Sequence, residues 1–400
     1  MSKSFIDNLV EFTKESETPT SFWVWGGYAM VAAVLRDNVY WTQRGHKICP
    51  NIYVLLNADS AVHRKSGPVK EADRLLTKVN NTKVIRGRGS IQAILENLAN
   101  SVMDRETGKT LRGGSCLLVA DELRSFFVED GALVGILTDV YEYKDTFDYM
   151  LRGAPFKVKG LCISMLAASN DEFLKTIYTG EAVYGGLLGR TFLVRANGEY
   201  RPANSLLETE GEEAENLIKY DPLPLIKQLK DISSLAGKMR FEIDAKLEYD
   251  NWYTPLRDSY KIKPDRAGVI QRIHTGVIKV AVILAVSRKL ELIVSKHDIQ
   301  EAIEKCVELL PNYDSFAMQT GKSTEAMAGS LLLDAAWKNK GSISRQAFLF
   351  EHWADVSNET LDKLIVSLES AGMISRSFNG TGTDVIVMTQ RCLDIFQRTI

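Results

Sequence analysis

Four hundred residues, 45% apolar and 25% charged, describe a folded chain with room for two to three domains of roughly 150 residues each, and exclude disorder over most of its length. The 49 basic and 51 acidic side chains leave a formal charge of −2, so no whole-molecule positive field drives nucleic-acid binding and any such contact must be local. Five scattered cysteines without a CxxC spacing argue against a disulfide framework or a cysteine-based zinc site, and a reducing cytoplasm is the expected location.

Residues 1–48 read as a helical segment, with Phe5, Leu9 and Phe12 on one face and an aromatic and alanine-rich stretch from Phe22 to Leu35. Asp7, Asn8 and Glu11 interrupt the first apolar positions, unlike a secretory signal. The most apolar stretch, Val277 to Val286, contains Lys279 and is shorter than the roughly 20 residues that cross a bilayer, so no membrane partner is expected. Residues 49–200 alternate short apolar runs with helical segments. The runs are NIYVLLN from Asn51, TKVIRG around Val84, CLLVAD from Cys116, LCISMLAAS from Leu161 and RTFLVRA from Arg190. Such alternation predicts an α/β core with a mostly parallel sheet covered on both faces.

Residues 201–240 are polar and acidic, with ETEGEEAEN and three prolines, and read as a loop or linker. The helical period returns over 241–320, where Ser295 is a natural N-cap. Residues 321–400 show helix, turn at Gly341, short helix, a further helix introduced by Ser357 or Asn358, and two strands around Asn379-Gly380, the order of a winged helix.

A phosphate-binding loop needs a buried strand, a tight turn of backbone N–H groups, a Lys, and a Ser or Thr opening a helix. Thr107–Thr110 and Thr320–Ser323 offer the terminal Lys-Ser/Thr pair but lack the preceding strand. The stretch Asp59, Ser60, Ala61, Val62, His63, Arg64, Lys65, Ser66 follows NIYVLLN and leads into a helix through Gly67-Pro68. It has no glycine, since Asp59 and Arg64 stand at both glycine positions. About fifty residues later Asp121 and Glu122 end an apolar strand, where ATP hydrolysis needs one carboxylate for magnesium and one to polarise water. Asn170 ends the next strand, either to hold the water or γ-phosphate or to form an Asx turn. Arg190, after GGLLG, is either an arginine finger for a neighbouring subunit or a surface side chain.

In this order of elements the chain resembles a phage and prophage family of P-loop ATPases of largely unassigned function found with replication genes. The likeness rests on PNIYVLL, the glycine-poor loop ending in RKS, VADEL, AASNDEF and GGLLGRTFLV, over residues 20 to 310. More distantly it is similar to AAA+ helicases of the minichromosome-maintenance type. The resemblance implies ATP and Mg2+ as cofactors, with Lys65, Ser66, Asp121, Glu122, Asn170 and Arg190 as Walker lysine, magnesium ligands, catalytic acid, sensor and trans arginine, and Arg272 as the sensor arginine of a lid.

By the same resemblance, a hairpin between the acidic and sensor strands would enter a central channel. Here that stretch carries Lys144, Arg152, Lys157 and Lys159 among Tyr141, Tyr143, Phe147, Tyr149 and Phe156, a pattern suited to single-stranded DNA or to a structural hairpin. The tail from Glu325 has seven basic against nine acidic side chains, which suits a protein contact at least as well as DNA. The expectation is therefore a ring-forming, homo-oligomeric ATPase, a DNA helicase or translocase in phage or mobile-element replication. Its partners would be single-stranded or forked DNA and a primase or polymerase. The alternatives are a non-hydrolysing adaptor and an ATPase of repair or anti-phage defence.

Overall fold

The chain opens with two helices, Phe5–Phe12 and Thr20–Leu35. Ser4 and Asp7 cap the first reciprocally: the Ser4 hydroxyl accepts from Asp7 N–H while the Asp7 carboxylate accepts from Ser4 N–H. The second is apolar all round, and Phe22, Trp25, Tyr28 and Leu35 are accordingly buried on every side. The helical reading of residues 1–48 fails after Leu35. Strands β1 (Val39–Gln43) and β2 (His46–Ile48) form an antiparallel hairpin. The β-branched and aromatic run VYWT favours a strand, and Arg44 (φ 49°) and Gly45 (φ 84°) supply the two left-handed residues of a tight turn.

The computed structural model describes residues 3–59, 63–86, 91–99, 102–103, 110–111, 113–123, 132–149, 156–177, 186–196, 221–259, 268–313, 324–353, 356–378 and 384–397. They fall into two compact units, Met1–Ala317 and Met318–Ile400. In the first unit the five apolar runs become β3 (Tyr53–Asn57), β4 (Val84–Arg86), β7 (Ser115–Ala120), β9 (Phe156–Ser169) and β10 (Thr191–Arg195). A two-residue-per-strand pair, β5 (Val102–Met103) and β6 (Thr110–Leu111), precedes β7, and β8 (Lys144–Tyr149) lies antiparallel to β9.

The sheet order is β10-β3-β9-β7-β4, every neighbouring pair along it parallel. Strands β3 and β7 are buried along their whole length, as both-sided cover requires. From β3 the chain crosses to the far edge at β4, steps back through β7 and β9, and then passes to the other side of β3 at β10. The direction of winding reverses beside β3, and in sheets of this kind the crevice outside the carboxyl ends of the strands at that point is where ligands bind. Register places Arg195, Asn57 and Ser169 level along that edge.

Within the expected 201–240 linker, residues 201–220 lie outside the described residues, and Leu223–Ser233 is a helix that buries Leu225, Ile226, Leu229 and Ile232. Its apolar positions follow the helical period, which the flanking acidic run conceals. Strand β11 (Gly237–Lys238) pairs with β1, and β12 (Arg240–Phe241) with β13 (Ile293–Val294). The helices Ile243–Ser259, Ile270–Arg288 and Lys296–Val307 share one hydrophobic core with the sheet, so 49–200 and 241–320 do not separate into distinct compact units. Ile270–Arg288 is long and apolar enough to cross a bilayer, yet Gly276–Ser287 is buried in this core. Lys279 anchors it: the ammonium donates to Asn51 O (2.8 Å) and Asn51 Oδ1 (3.0 Å) and lies 3.9 Å from the centre of the Tyr141 ring. Burial pushes this ammonium down to a pKa of about 8.

The second unit holds helices Thr324–Lys338, Arg345–Glu351, Asn358–Ser370 and Gln390–Gln397 and an antiparallel sheet ordered β14 (Ser342–Ser344), β16 (Asp384–Met388), β15 (Ile374–Phe378). Leu332, Ala336, Phe348, Leu361, Ile365 and Ile386 form its core. Ser344 and Ser357 cap the second and third helices through their hydroxyls.

Candidate functional site

The carboxyl end of β3 runs into the turn that the sequence marks as a phosphate loop. Asp59 is exposed and His63 half-buried, while Ser60 lies outside the described residues. Arg64 has φ 44°, the left-handed conformation that glycine adopts freely and that costs other residues about 1–2 kcal/mol. The backbone thus takes at Arg64 the bend for which such loops use glycine. The amino-terminal layer holds it there: Thr18 Oγ1 donates to Arg64 O (3.0 Å), Gly67 N–H donates to the same carbonyl (2.9 Å), and Glu17 pairs with the guanidinium (2.8 Å). A Cβ at Gly67 would lie 2.9 Å from Thr18 Oγ1, so this close approach needs a glycine. Lys65 and Ser66 open the helix Ser66–Leu76, whose first turn no side chain caps; the Gly67 N–H is taken by Arg64 O and Pro68 has none. The Lys65 ammonium donates to Ala58 O (3.0 Å), closing the turn upon itself.

Strand β9 links this turn to the acidic one. Ala58 N–H donates to Ser169 O (3.3 Å) and Leu123 N–H to Ala168 O (2.7 Å), so the turns after β3 and β7 flank the end of β9, about 10 Å apart at two strand spacings. Asp121 and Glu122 border a cleft of about 300 Å3 that Lys70, Asp73 and Arg86 also line; Lys65 and Ser66 are not among its walls. Desolvation raises the Asp121 carboxyl above its ordinary range, with Lys70 opposing and Asp73 adding to the shift. Between the two turns, Asn170 Oδ1 accepts from Phe173 N–H (2.9 Å), three residues on, the N-cap bond of the helix Asp171–Ile177.

Three residues that sequence reasoning missed meet at the same edge. Asp171 Oδ1 accepts from Arg195 Nη2 (2.7 Å) and from Asn57 Nδ2, while the Asn57 carbonyl oxygen, in a side chain only 3% exposed, has no partner among the described residues. Lys70 and Arg86 were missed as well. The signal available for Asn57, Arg86 and Arg195 was position: each ends a parallel strand, where ligand-facing side chains collect.

Arg190 and Arg272 come together, but at the opposite edge. Arg190 precedes β10, whose first residue is level with Tyr53, the start of β3. The five-residue length of β3, about 16 Å at strand rise, therefore separates Arg190 from the turn at Lys65. Arg272 does not join the loop as the sensor arginine of the same nucleotide, because its helix packs through Lys279 on the amino end of β3. Instead Arg190 Nη1 donates to Gly186 O (3.0 Å) and Arg272 Nη1 to Gly268 O (3.0 Å). An ideal Cβ on Gly186 (φ 88°) would lie 2.7 Å from Arg190 Nη1 and 3.1 Å from Arg272 Nη2, so both guanidiniums converge on the space this glycine leaves. They share a cleft of about 280 Å3 with Tyr141, Glu142, His274 and Tyr313.

The hairpin between the acidic and sensor strands is β8 with the first half of β9. Two of its cations are paired with carboxylates: Lys144 with Asp139 (2.7 Å) and Lys157 with Asp148 (3.2 Å). Lys159 is exposed, and Arg152 lies outside the described residues. In the second unit Arg345 pairs with Asp362 (2.5 Å) and Arg376 with Glu369 (2.8 Å). No protein-family model matches the chain, and no curated protein matches it.

Proposed function

We propose that the chain is a P-loop ATPase that binds Mg-ATP at the turn 58–66, hydrolyses it with Glu122, and couples hydrolysis to movement on DNA as a ring of identical subunits. The observation that carries this reading is the strand order, which sets the Lys65 turn, Asn170 and the Asp121–Glu122 turn side by side at the carboxyl ends of β3, β9 and β7. The uncapped helix N-terminus and the hard oxygen donors of Ser66 and Asp121 suit a triphosphate with its magnesium. Bound there, magnesium would neutralise charge developing on the phosphates. Lys65 would exchange Ala58 O for the terminal phosphates, and Glu122 would polarise the attacking water. Arg190 and Arg272, too far from Lys65 of their own chain, would serve the nucleotide of a neighbouring subunit.

On this reading 1–317 is the motor in the cytoplasm of a host cell, and 318–400 is a winged helix whose paired charges favour a replication protein, a primase or polymerase, over DNA. Phosphate release by the full chain tests it: turnover stimulated by single-stranded DNA and reduced 10²- to 10⁴-fold by Glu122→Gln is expected. Equal rates in both proteins would refute it. One observation favours a second reading, a non-hydrolysing adaptor. Lys65 already rests on its own loop and Arg64 replaces glycine, so an ATP site that binds without turnover in either protein would support the adaptor.

A further inference from the structure

A cleft of about 690 Å3, more than twice the volume of the one beside Asp121, opens at the amino-terminal edge of the sheet. The β1–β2 hairpin supplies one wall, with Arg44 and Lys47. The helix Ile243–Ser259 supplies Tyr253 and Arg257, the helix Ile270–Arg288 supplies His274, and Tyr143 closes one end. Lys279 reaches the floor. Four cations line the cleft with two carboxylates, Glu142 and Asp145; Lys47 also pairs with Asp37 (3.5 Å) and Arg257 with Asp258 (3.9 Å), which leaves Arg44 and Lys279 as the cations without a carboxylate pair among the described residues.

The rings are ordered as well as present. Tyr249, Tyr253 and His274 form a near-parallel column, with centroids 5.6 Å and 4.7 Å apart and interplanar angles of 27° and 28°. Lys47 lies 4.2 Å from the centre of the Tyr143 ring. Aromatic rings beside cations match the alternation of bases and phosphates in a single strand, and neither an acidic peptide nor an apolar ligand would use both; Tyr253 is stacked between Tyr249 and His274, so His274 ends the column. The exposed Arg44 and Arg257 stand at the rim, where phosphates would remain hydrated. Tyr143 and Asp145, at the start of β8, also line the cleft, whereas Lys159 does not. It shares Tyr141, Glu142, His274 and Thr275 with the cleft of Arg190 and Arg272.

We propose that this cleft seats a short single-stranded segment of nucleic acid, its phosphates on Arg44, Lys47 and Arg257 and its bases against the Tyr253–His274 column. The proposal rests on the reading that the chain works on nucleic acid, but it moves the main contact from the hairpin lysines to the β1–β2 hairpin and the helices facing it, where cations and aromatic rings share one cleft.

Fluorescence anisotropy of a labelled twelve-nucleotide oligothymidylate with the full chain, without ATP, tests it. The variant Arg44→Glu/Arg257→Glu alters two exposed side chains, and thermal melting checks that it stays folded. At least a tenfold loss of affinity is expected, with the salt slope reduced by about 1.4 for two lost phosphate contacts. Lys159→Ala should change affinity less than twofold, and excess thymidine monophosphate should compete weakly. Unchanged affinity and slope in the double variant would overturn the proposal, as would a loss carried by Lys159→Ala alone. Full competition by the mononucleotide would make the cleft a nucleotide pocket and overturn the assignment of a strand. Failure of the wild type to bind would remove the DNA half of the proposed function too, whereas binding indifferent to Arg44 and Arg257 would remove this inference only.

Discussion

The two edges of the central sheet differ in how they are built. At the carboxyl edge, Asp121, Glu122 and Asn170 sit on turns directly after buried strands, positioned by their own neighbours in sequence, and only the turn of Lys65 and Ser66 is braced from afar, by Glu17 and Thr18. At the amino edge, Arg190, Arg272, Lys279 and Tyr141 come from segments up to about 140 residues apart and meet only because the helix Ile270–Arg288 is seated on Asn51. The candidate residues of the first edge are set mainly by local turns repeated strand by strand. The second is a tertiary assembly with a buried lysine at its centre. A substitution at the carboxyl edge should therefore change chemistry with little effect on folding, while one at the amino edge should change both unless it touches only a projecting side chain.

The largest expected effect is at Arg190. If it completes a neighbour's site, Arg190→Ala lowers turnover by about 10³-fold or more while leaving nucleotide binding by the same chain intact. Mixing Arg190→Ala with Lys65→Ala chains should restore part of the activity, because some interfaces then combine an intact arginine with an intact loop. No restoration would place Arg190 outside the site.

Lys279 sharpens the contrast through pH. Its folded-state pKa of about 8 lies below the ordinary 10.5, so the charged form is held at a cost that is fully present below pH 8. Between about pH 8 and 10.5 the unfolded chain binds more protons than the folded one, and this group alone makes stability rise with pH, by up to about 3 kcal/mol. Buried thiols such as Cys116, raised from 9.0 to about 12, act in the opposite direction from about pH 9 upward. The difference between wild type and Lys279→Met in chemical unfolding isolates the lysine: it should grow in favour of wild type from pH 8 upward. A flat difference would mean that the lysine titrates alike in both states.

Arg64→Gly gives the smallest effect. Releasing a left-handed arginine should stabilise the chain by about 1 kcal/mol, less the contribution of the exposed pair with Glu17. Destabilisation would show that the Thr18 and Glu17 contacts, and not the backbone bend, dominate at this turn.

The same contrast explains what the sequence discloses. The five parallel strands and the two acids after CLLVA are legible because an apolar run ending in polar residues is a local signal. The Asn57–Asp171–Arg195 network is not, since three ordinary polar residues acquire a common place only through the register of β10, β3 and β9. The convergence of Arg272 on Arg190 is invisible for the same reason; its helix reads as a lid by resemblance, and only the Lys279–Asn51 contact fixes which edge it covers. The β1–β2 hairpin and the helix Leu223–Ser233 did carry local signals. An aromatic, β-branched run before Arg44-Gly45 and an LPLIKQL period were outweighed by the helical and acidic composition around them.

The central claim is that a turn without glycine, bent left-handed at Arg64, holds the phosphates of a nucleotide through Lys65. Calorimetric titration of Mg-ATP into the full chain and into Lys65→Ala addresses it directly. Saturable binding by the wild type, weakened at least tenfold by the substitution, is the expected result. Equal binding by both proteins, or none by the wild type, would contradict it.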